Sequence, residues 1–295
     1  MIFLKNTCFN SFTSIDLLVE KYFNFFLLNM SVYDIQKLLE AAWDDGVFIK
    51  SAKGASETTL KLLDSGSIVI CQKVNDQWLI NDWIRKAILI YLKSTNSNIL
   101  PGNYYDKIPL KFTNWTIEEF KNAAIRVVPG AFVRYGVYVS SGCIIMPSFV
   151  NVGSYIGKNT MVDINSTLGS CCYVGDNCHI GAGTVIGGVL EPLHDKPTII
   201  EDNVFIGACC SITSGVIVSK GSVIAPGTHI SQSTRIYDST TGEISYGIIP
   251  ENAVVVAGTI PRDSNHNRGQ VACGIIVKYA DIETRNKVGI NELLR

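Results

Sequence analysis

From residue 144 onward the chain places an aliphatic side chain at every sixth position: Ile144, Val150, Ile156, Val162, Leu168, Val174, Ile180 and Ile186. After an interval of 14 the series resumes with Ile200, Ile206, Ile212, Val218, Ile224, Ile230 and Ile236. Two positions before most of these stands a small residue, among them Ser154, Thr160, Ser166, Cys172, Cys178 and Thr184. Between 161 and 188 the aliphatic residue is followed by Gly at every register but one, where Asp163 follows Val162. Strand alternation and a helical period of 3.6 both fail to sustain this spacing. A prism-shaped parallel β-helix sustains it: each hexapeptide is one short face, the aliphatic residue points inward, and the small residue fits beside the corner. The interval of 14 is two hexads plus two residues, which predicts a loop extruded near 188–197 without loss of stacking. Loops on a rigid scaffold tend to carry function.

The preceding segment has a different texture. Residues 31–125 read as helical. SVYDIQKLLEAAWDD opens with Ser31 and Asp34 in capping-box-like spacing, SETTLKLLDSG ends at a Gly stop signal, and DQWLINDWIRKAILIYLKS carries a Trp/Ile/Leu stripe. In TIEEFKNAAIR, Thr116 stands three residues before Glu119. The stretch STNSNILPGNYYDKIP between the last two reads as loop. Residues 1–29, rich in Phe, Asn and Leu, lack a signal-peptide core because Asp16, Glu20 and Lys21 interrupt it. They are expected to be a dispensable extension ahead of Met30, with an extra helix as the competing reading. The expected divisions are thus 1–29, a helical N-terminal domain at 30–130, the β-helix at 131–237, and a C-terminal domain at 238–295 ending in a strand and a short polar helix.

Composition narrows the function by exclusion. With 25 Lys plus Arg against 26 Asp plus Glu, the chain of 295 residues has a net charge of −1 and no electrostatic case for nucleic acid or anionic membrane. No apolar run reaches the ~18 residues of a membrane span. The nine cysteines form no CxxC pair, so they read as reduced, small apolar fillers in a cytoplasmic protein, with no metal bound.

Several stretches are more specific than the repeat. FVNVGSYIGKNTMVD, GGVLEPL, PTIIEDN, STRIYD, KVGINELLR and IRVVPGAFVR, together with DSGSI and DQWLINDWIRKA, resemble the tetrahydrodipicolinate N-succinyltransferases over about residues 30–295. The resemblance implies a mainly β fold, a left-handed parallel β-helix of hexapeptide repeats with an α-helical N-terminal domain and a small C-terminal cap. It implies a homotrimer with active sites between neighbouring prisms, succinyl-CoA as co-substrate, and no permanently bound cofactor. The acceptor would be the amine of the hydrated, ring-opened substrate, 2-amino-6-oxopimelate.

By the same resemblance, Asp163 is the catalytic residue and contacts the acceptor, and Arg126 binds an acceptor carboxylate. The residue types suit the chemistry. An attacking amine must lose a proton, for which a carboxylate is an acceptor, and the guanidinium fork pairs carboxylates bidentately. The plainer readings are a turn cap for Asp163 and a surface ion pair for Arg126. Gly187 and Gly188 are candidates for the pantetheine arm or the oxyanion, or for packing alone. Lys278, Arg285 and Lys287 are candidates for the CoA phosphates, or simply solvated charges. One departure stands out: where the family commonly reads GARSE, this chain reads GACCS, so Ser211 replaces a Glu. Asp163 alone, Glu191 or a water would then have to serve, or activity is reduced.

Two rivals remain on sequence grounds, and a third is excluded. Another hexapeptide acyltransferase, such as an acetyltransferase on the same acceptor, shares every feature above, and the missing Glu leaves room for a trimeric scaffold with impaired catalysis. A γ-type carbonic anhydrase needs zinc-binding histidines at a spacing that His179, His194, His229 and His266 lack. His179 and His229 are expected to be turn residues.

Overall fold

The computed structural model describes residues 30–45, 52–262 and 269–280. Two-residue strands stack in parallel into three faces. The first runs upward through Arg126–Val127, Ile144–Ile145, Met161–Val162, His179–Ile180, Phe205–Ile206 and Val223–Ile224. The second contains Phe132–Val133, Phe149–Val150, Thr167–Leu168, Val185–Ile186, Ser211–Ile212 and His229–Ile230. The third contains Tyr138–Val139, Tyr155–Ile156, Tyr173–Val174, Ile199–Ile200, Ile217–Val218 and Ile248–Ile249. The second residue of each pair points inward, and from Val150 to Ile230 these residues are 0–1% exposed. This is the β-helix that the period of six predicts.

The small residues two positions earlier have a bonding role as well as a steric one. Ser154 Oγ donates to Gly169 O (2.8 Å), Thr160 Oγ1 to Gly175 O (2.7 Å), Ser166 Oγ to Gly181 O (2.9 Å) and Thr184 Oγ1 to Gly207 O (2.9 Å). Each hydroxyl satisfies a corner carbonyl of the next rung up, a group that is costly to bury unpaired. Left-handed backbone at the turns falls to Asn159, Asn165, Asn177 and Asn203, with φ between 54 and 58°, a conformation Asn tolerates.

The interval of 14 is one hexad plus an eight-residue loop, not two hexads plus two, because Ile186 and Ile200 stand on adjoining faces. One register also differs from the sequence reading. The inward residue is Ile145, which pairs with Val127 below and Val162 above. Ile144, the residue that the step of six selects, stands on the outer side of the first face beside Met161. The turn from Ile145 to Val150 is one residue shorter than the others, yet Pro147 O still accepts from Asn165 N (2.7 Å), so the stack continues.

Ahead of the prism come helices α1 (Val32–Asp45), α2 (Lys53–Asp64) and α3 (Asp82–Ser94), which share a core of Leu39, Leu60, Ile84 and Ile88. The Ser31 hydroxyl accepts from Asp34 N (3.2 Å) and the Asp34 carboxylate accepts from Ser31 N (3.3 Å), a capping box built with Asp. The segment 76–94 is not one helix. Gln77–Ile80 pairs antiparallel with Cys71–Val74 across a turn in which Asn75 and Asp76 both have positive φ, a hairpin signal hidden by the apolar stripe that follows. The presumed loop near 95–108 holds a second hairpin, Asn98–Leu100 with Tyr104–Asp106.

This domain covers the third face. Trp78 packs on Tyr173 (4.9 Å between centroids), and Tyr173 stacks on Tyr155 (4.8 Å). Helix α4 (Ile117–Ala123) begins with the expected Thr116–Glu119 capping box. Phe112, Trp115 and Phe120 around it pack against the prism core. Beyond Ile236, the antiparallel strands Ala253–Pro261 and Gln270–Tyr279 extend the first face. The terminal helix expected after them, like residues 1–29, lies outside the described residues.

Candidate active site

Asp163 occupies the corner between the first and second faces. Met146, Asp163, Gly181 and Gly207 form one column there, donating their N–H groups to Val162, Ile180, Ile206 and Ile224 O respectively. A Cβ built at Gly181 would lie 2.6 Å from Ile206 O, and one at Gly207 would lie 2.5 Å from Pro226 N, so backbone closure imposes glycine at those levels. Asp163 escapes that constraint and is half-buried, with Oδ1 accepting from Ile164 N at 2.7 Å. The turn cap is therefore present. It uses only a fraction of the acceptor capacity of a carboxylate.

Glu201 provides an internal comparison. It too follows the inward residue, at the corner between the third and first faces, where the rungs below carry Gly157 and Gly175. Its carboxylate is committed to structure, accepting from Lys73 Nζ (3.0 Å), Trp78 Nε1 (2.9 Å) and Lys220 N (3.0 Å). Burial pushes its pKa up, but these donors outweigh that and hold it below the usual Glu value. Among the described residues Asp163 has no such cation partner. Its charged neighbourhood is His179, one rung up, whose pKa burial lowers while Asp163 pulls it the other way. His179 stacks on Phe205 at 4.9 Å and 10°, a strand residue and not the turn residue expected from sequence. His229 is likewise on a strand.

Arg126 is exposed on the lowest rung of the same face, with Nη2 reaching Met146 Sδ at 3.8 Å. Because Met146 lies directly below Asp163 in the corner column, the guanidinium and the carboxylate share one edge of the prism. Their backbones are two rungs apart, about 10 Å at ~4.8 Å per strand spacing.

The other candidates lie elsewhere. Gly187 and Gly188 are at the corner between the second and third faces, across the width of the second face from Asp163. The Gly187 N–H is bonded to Ile212 O (2.7 Å). Cβ atoms at these positions would sit 2.8 Å from Thr213 Cα and 2.1 Å from Ser170 N, so packing alone requires glycine. Glu191, on the extruded loop, starts from that same far corner. Lys278 is exposed and pairs with Val254, five strand spacings above Met161, or about 24 Å along the axis. Arg285 and Lys287 lie outside the described residues. Among the described residues, then, Arg126 and Asp163 share one edge, and Gly187, Gly188 and Lys278 lie away from it.

Two features were not foreseen. Ser211, midway across the second face, has its Oγ 3.2 Å from His229 Nδ1. A cavity of about 510 Å³ opens beneath the extruded loop, lined by residues including His194, Lys196, Ser214 and Gln232. The cysteines behave as fillers: seven of the eight described are buried and none is disulfide-bonded. Burial pushes the Cys172 and Cys178 thiols up to about 12.

Comparison with known proteins agrees with this architecture. Residues 34–93 match the model of the tetrahydrodipicolinate N-succinyltransferase N-terminal domain. Residues 153–188 match bacterial transferase hexapeptide repeats, and 197–232 match the hexapeptide repeat of succinyl-transferase. The 2,3,4,5-tetrahydropyridine-2,6-dicarboxylate N-succinyltransferase of Sodalis glossinidius is 44% identical over 270 residues, covering 88% of this chain and 98% of the relative. That of Pseudoalteromonas translucida is 47% identical over 272 residues, covering 89% and 98%. That of Buchnera aphidicola from Schizaphis graminum is 50% identical over 240 residues, covering 80% and 87%. With identity of this degree spread over nearly the full length of its relatives, the chain belongs to the tetrahydrodipicolinate N-succinyltransferase family.

Proposed function

We propose that the protein transfers succinyl from succinyl-CoA to the amine of ring-opened tetrahydropyridine-2,6-dicarboxylate, in clefts between the prisms of a cytoplasmic homotrimer. The observation that carries this reading is Asp163. It stands directly below two rungs where backbone closure imposes glycine, without the cation that explains Glu201, on the same edge as Arg126. Its N–H is held by the rung above, so the carboxylate projects from a rigid support.

In this mechanism the amine attacks the thioester carbonyl carbon, and the carbon–sulfur bond breaks as CoA leaves. Asp163 accepts the proton that the amine must lose and gives it up to the departing thiolate, so CoA leaves as its thiol and the carboxylate is restored. Arg126 pairs an acceptor carboxylate through its planar fork and fixes the distance from that carboxylate to the amine. The thioester is already activated, so placing and orienting the two substrates is most of the task.

The trimer follows from what one subunit leaves open. The second face exposes Phe149 and Val185, each 40%, and Ile164 at the adjoining corner is 43% exposed. A threefold neighbour would cover them and bring its own second face up to the Asp163 corner. The test is thiol release from succinyl-CoA with and without acceptor, with acetyl-CoA as competitor. Acceptor-dependent release that prefers the succinyl donor supports the proposal; preference for acetyl-CoA overturns the donor, and no acceptor-dependent release overturns the reaction.

A further inference from the structure

We propose that Arg85 is a positioning residue for this reaction: from the helical domain it fixes the extruded loop, and with it the wall of the cavity that carries Lys196. The proposal rests on the succinyltransferase reading above. Arg85 lies on α3 among apolar neighbours and is 1% exposed. Its Nη1 donates to Asp195 O (2.8 Å) and Val189 O (3.4 Å), and its Nη2 donates to Leu193 O. Nε and Nη2 both face Asp82 Oδ1 at 3.0 Å. One planar fork therefore closes on three carbonyls of a single loop.

A buried guanidinium is costly unless its donors are partnered. Among the described residues the only carboxylate paired with it belongs to Asp82, whose side chain is 52% exposed, so the loop carbonyls supply most of the compensation. Arg85 and the loop conformation thus require each other. The loop meets the prism separately: Val189 N donates to Ser170 O (3.0 Å), and Lys196 lies so close over Gly215 that a Cβ there would come within 2.9 Å of Lys196 O. Arg85 secures the middle from the helical domain, and Leu190 packs against the apolar cluster that this domain shares with the prism.

Held this way, the loop presents Lys196 to the cavity alongside Gln232 and Ser214; Asp195 lines the cavity too, with its carboxylate 3.6 Å from His194 Nε2. A cation beside an amide and a hydroxyl fits an anionic oxygen. Both substrates supply one, as a CoA phosphate or as an acceptor carboxylate.

The test compares the full-length wild type with Arg85→Lys and Arg85→Met by amide hydrogen exchange and by steady-state kinetics with each substrate varied. Lys keeps the charge but loses the fork. Expected are exchange about tenfold or more faster in residues 189–196, unchanged protection in α3 and the prism, and a KM about tenfold higher for one substrate, matching the loss of roughly one charged hydrogen bond. A rise confined to succinyl-CoA assigns the phosphate, and one confined to the acceptor assigns the carboxylate. Unchanged loop exchange, or faster exchange with both KM values intact, overturns the proposal. If neither variant folds, Arg85 serves only the helical domain and the proposal is wrong. A wild type that transfers no succinyl group sinks the functional reading instead, and loop exchange then decides separately whether Arg85 holds the loop.

Discussion

His229 Nδ1 lies 3.2 Å from Ser211 Oγ on the second face, so the position where the family resemblance leads one to expect a Glu is paired with an imidazole. That pairing makes Ser211→Glu informative. A carboxylate there would sit against His229 on the face that a neighbouring prism is proposed to meet. Turnover should rise severalfold, up to about tenfold, within the scale of acid–base groups. The gain should vanish in an Asp163→Asn background, since groups acting on one transition state are not additive. Steady-state rates of the four proteins complete the cycle.

Asp163→Asn keeps the size of the side chain and its bond to Ile164 N but removes the proton acceptor. kcat should fall by about 10²-fold or more with assembly unchanged. Near-normal kcat in a correctly assembled variant would reduce Asp163 to its turn cap.

Arg126→Lys should weaken acceptor binding and spare CoA affinity. Loss of the fork is worth about 1.5–3 kcal/mol, or roughly 10- to 150-fold in acceptor KM. Equal weakening of both substrates would mark Arg126 as structural.

Thr184→Val tests the prism itself. Thr184 Oγ1 donates to Gly207 O (2.9 Å) and accepts from Cys210 N (3.2 Å), so the isosteric change strands two buried backbone groups. The cost should be about 1–3 kcal/mol per stranded group, read as a lower urea midpoint at fixed protein concentration.

Glu201→Gln should change how stability responds to acid. Its carboxyl is held below the usual value, so its contribution is full above the unfolded pKa of about 4.3 and is lost as pH falls through the lower folded value. Wild type should therefore exceed the variant in urea midpoint at neutral pH and converge on it in acid. A gap that stays constant with pH would show that the pairing with Lys73 and Trp78 is not the source.

The prism was legible because its period is imposed by geometry that every rung repeats. The slip at Ile144 and Ile145 was not, since both residues are aliphatic and only hydrogen-bond register separates them. Asn75–Asp76 was a readable turn signal, masked by the stronger stripe after it. Asp163 announced itself by breaking a pattern. Glu201 breaks the same pattern, but no sequence rule pairs it with Lys73 and Trp78 more than a hundred positions away. Arg85 was concealed beside Lys86 on an amphipathic helix, where sequence spacing does not separate the buried cation from its partly exposed neighbour. The separation of Gly187 and Lys278 from Asp163 depends on which corner and rung each occupies, and that is fixed only once the chain is wound.

The stacking of Arg126 below Asp163 makes the prism a ruler with fixed graduations. The distance between the proposed carboxylate clamp and the proposed proton acceptor changes only by whole rungs, about 4.8 Å each. A longer or shorter acceptor is therefore not reached by gradual drift of the backbone. It requires inserting or excising a complete coil between 127 and 161, or lengthening a side chain at Met146, the one graduation that lies between them.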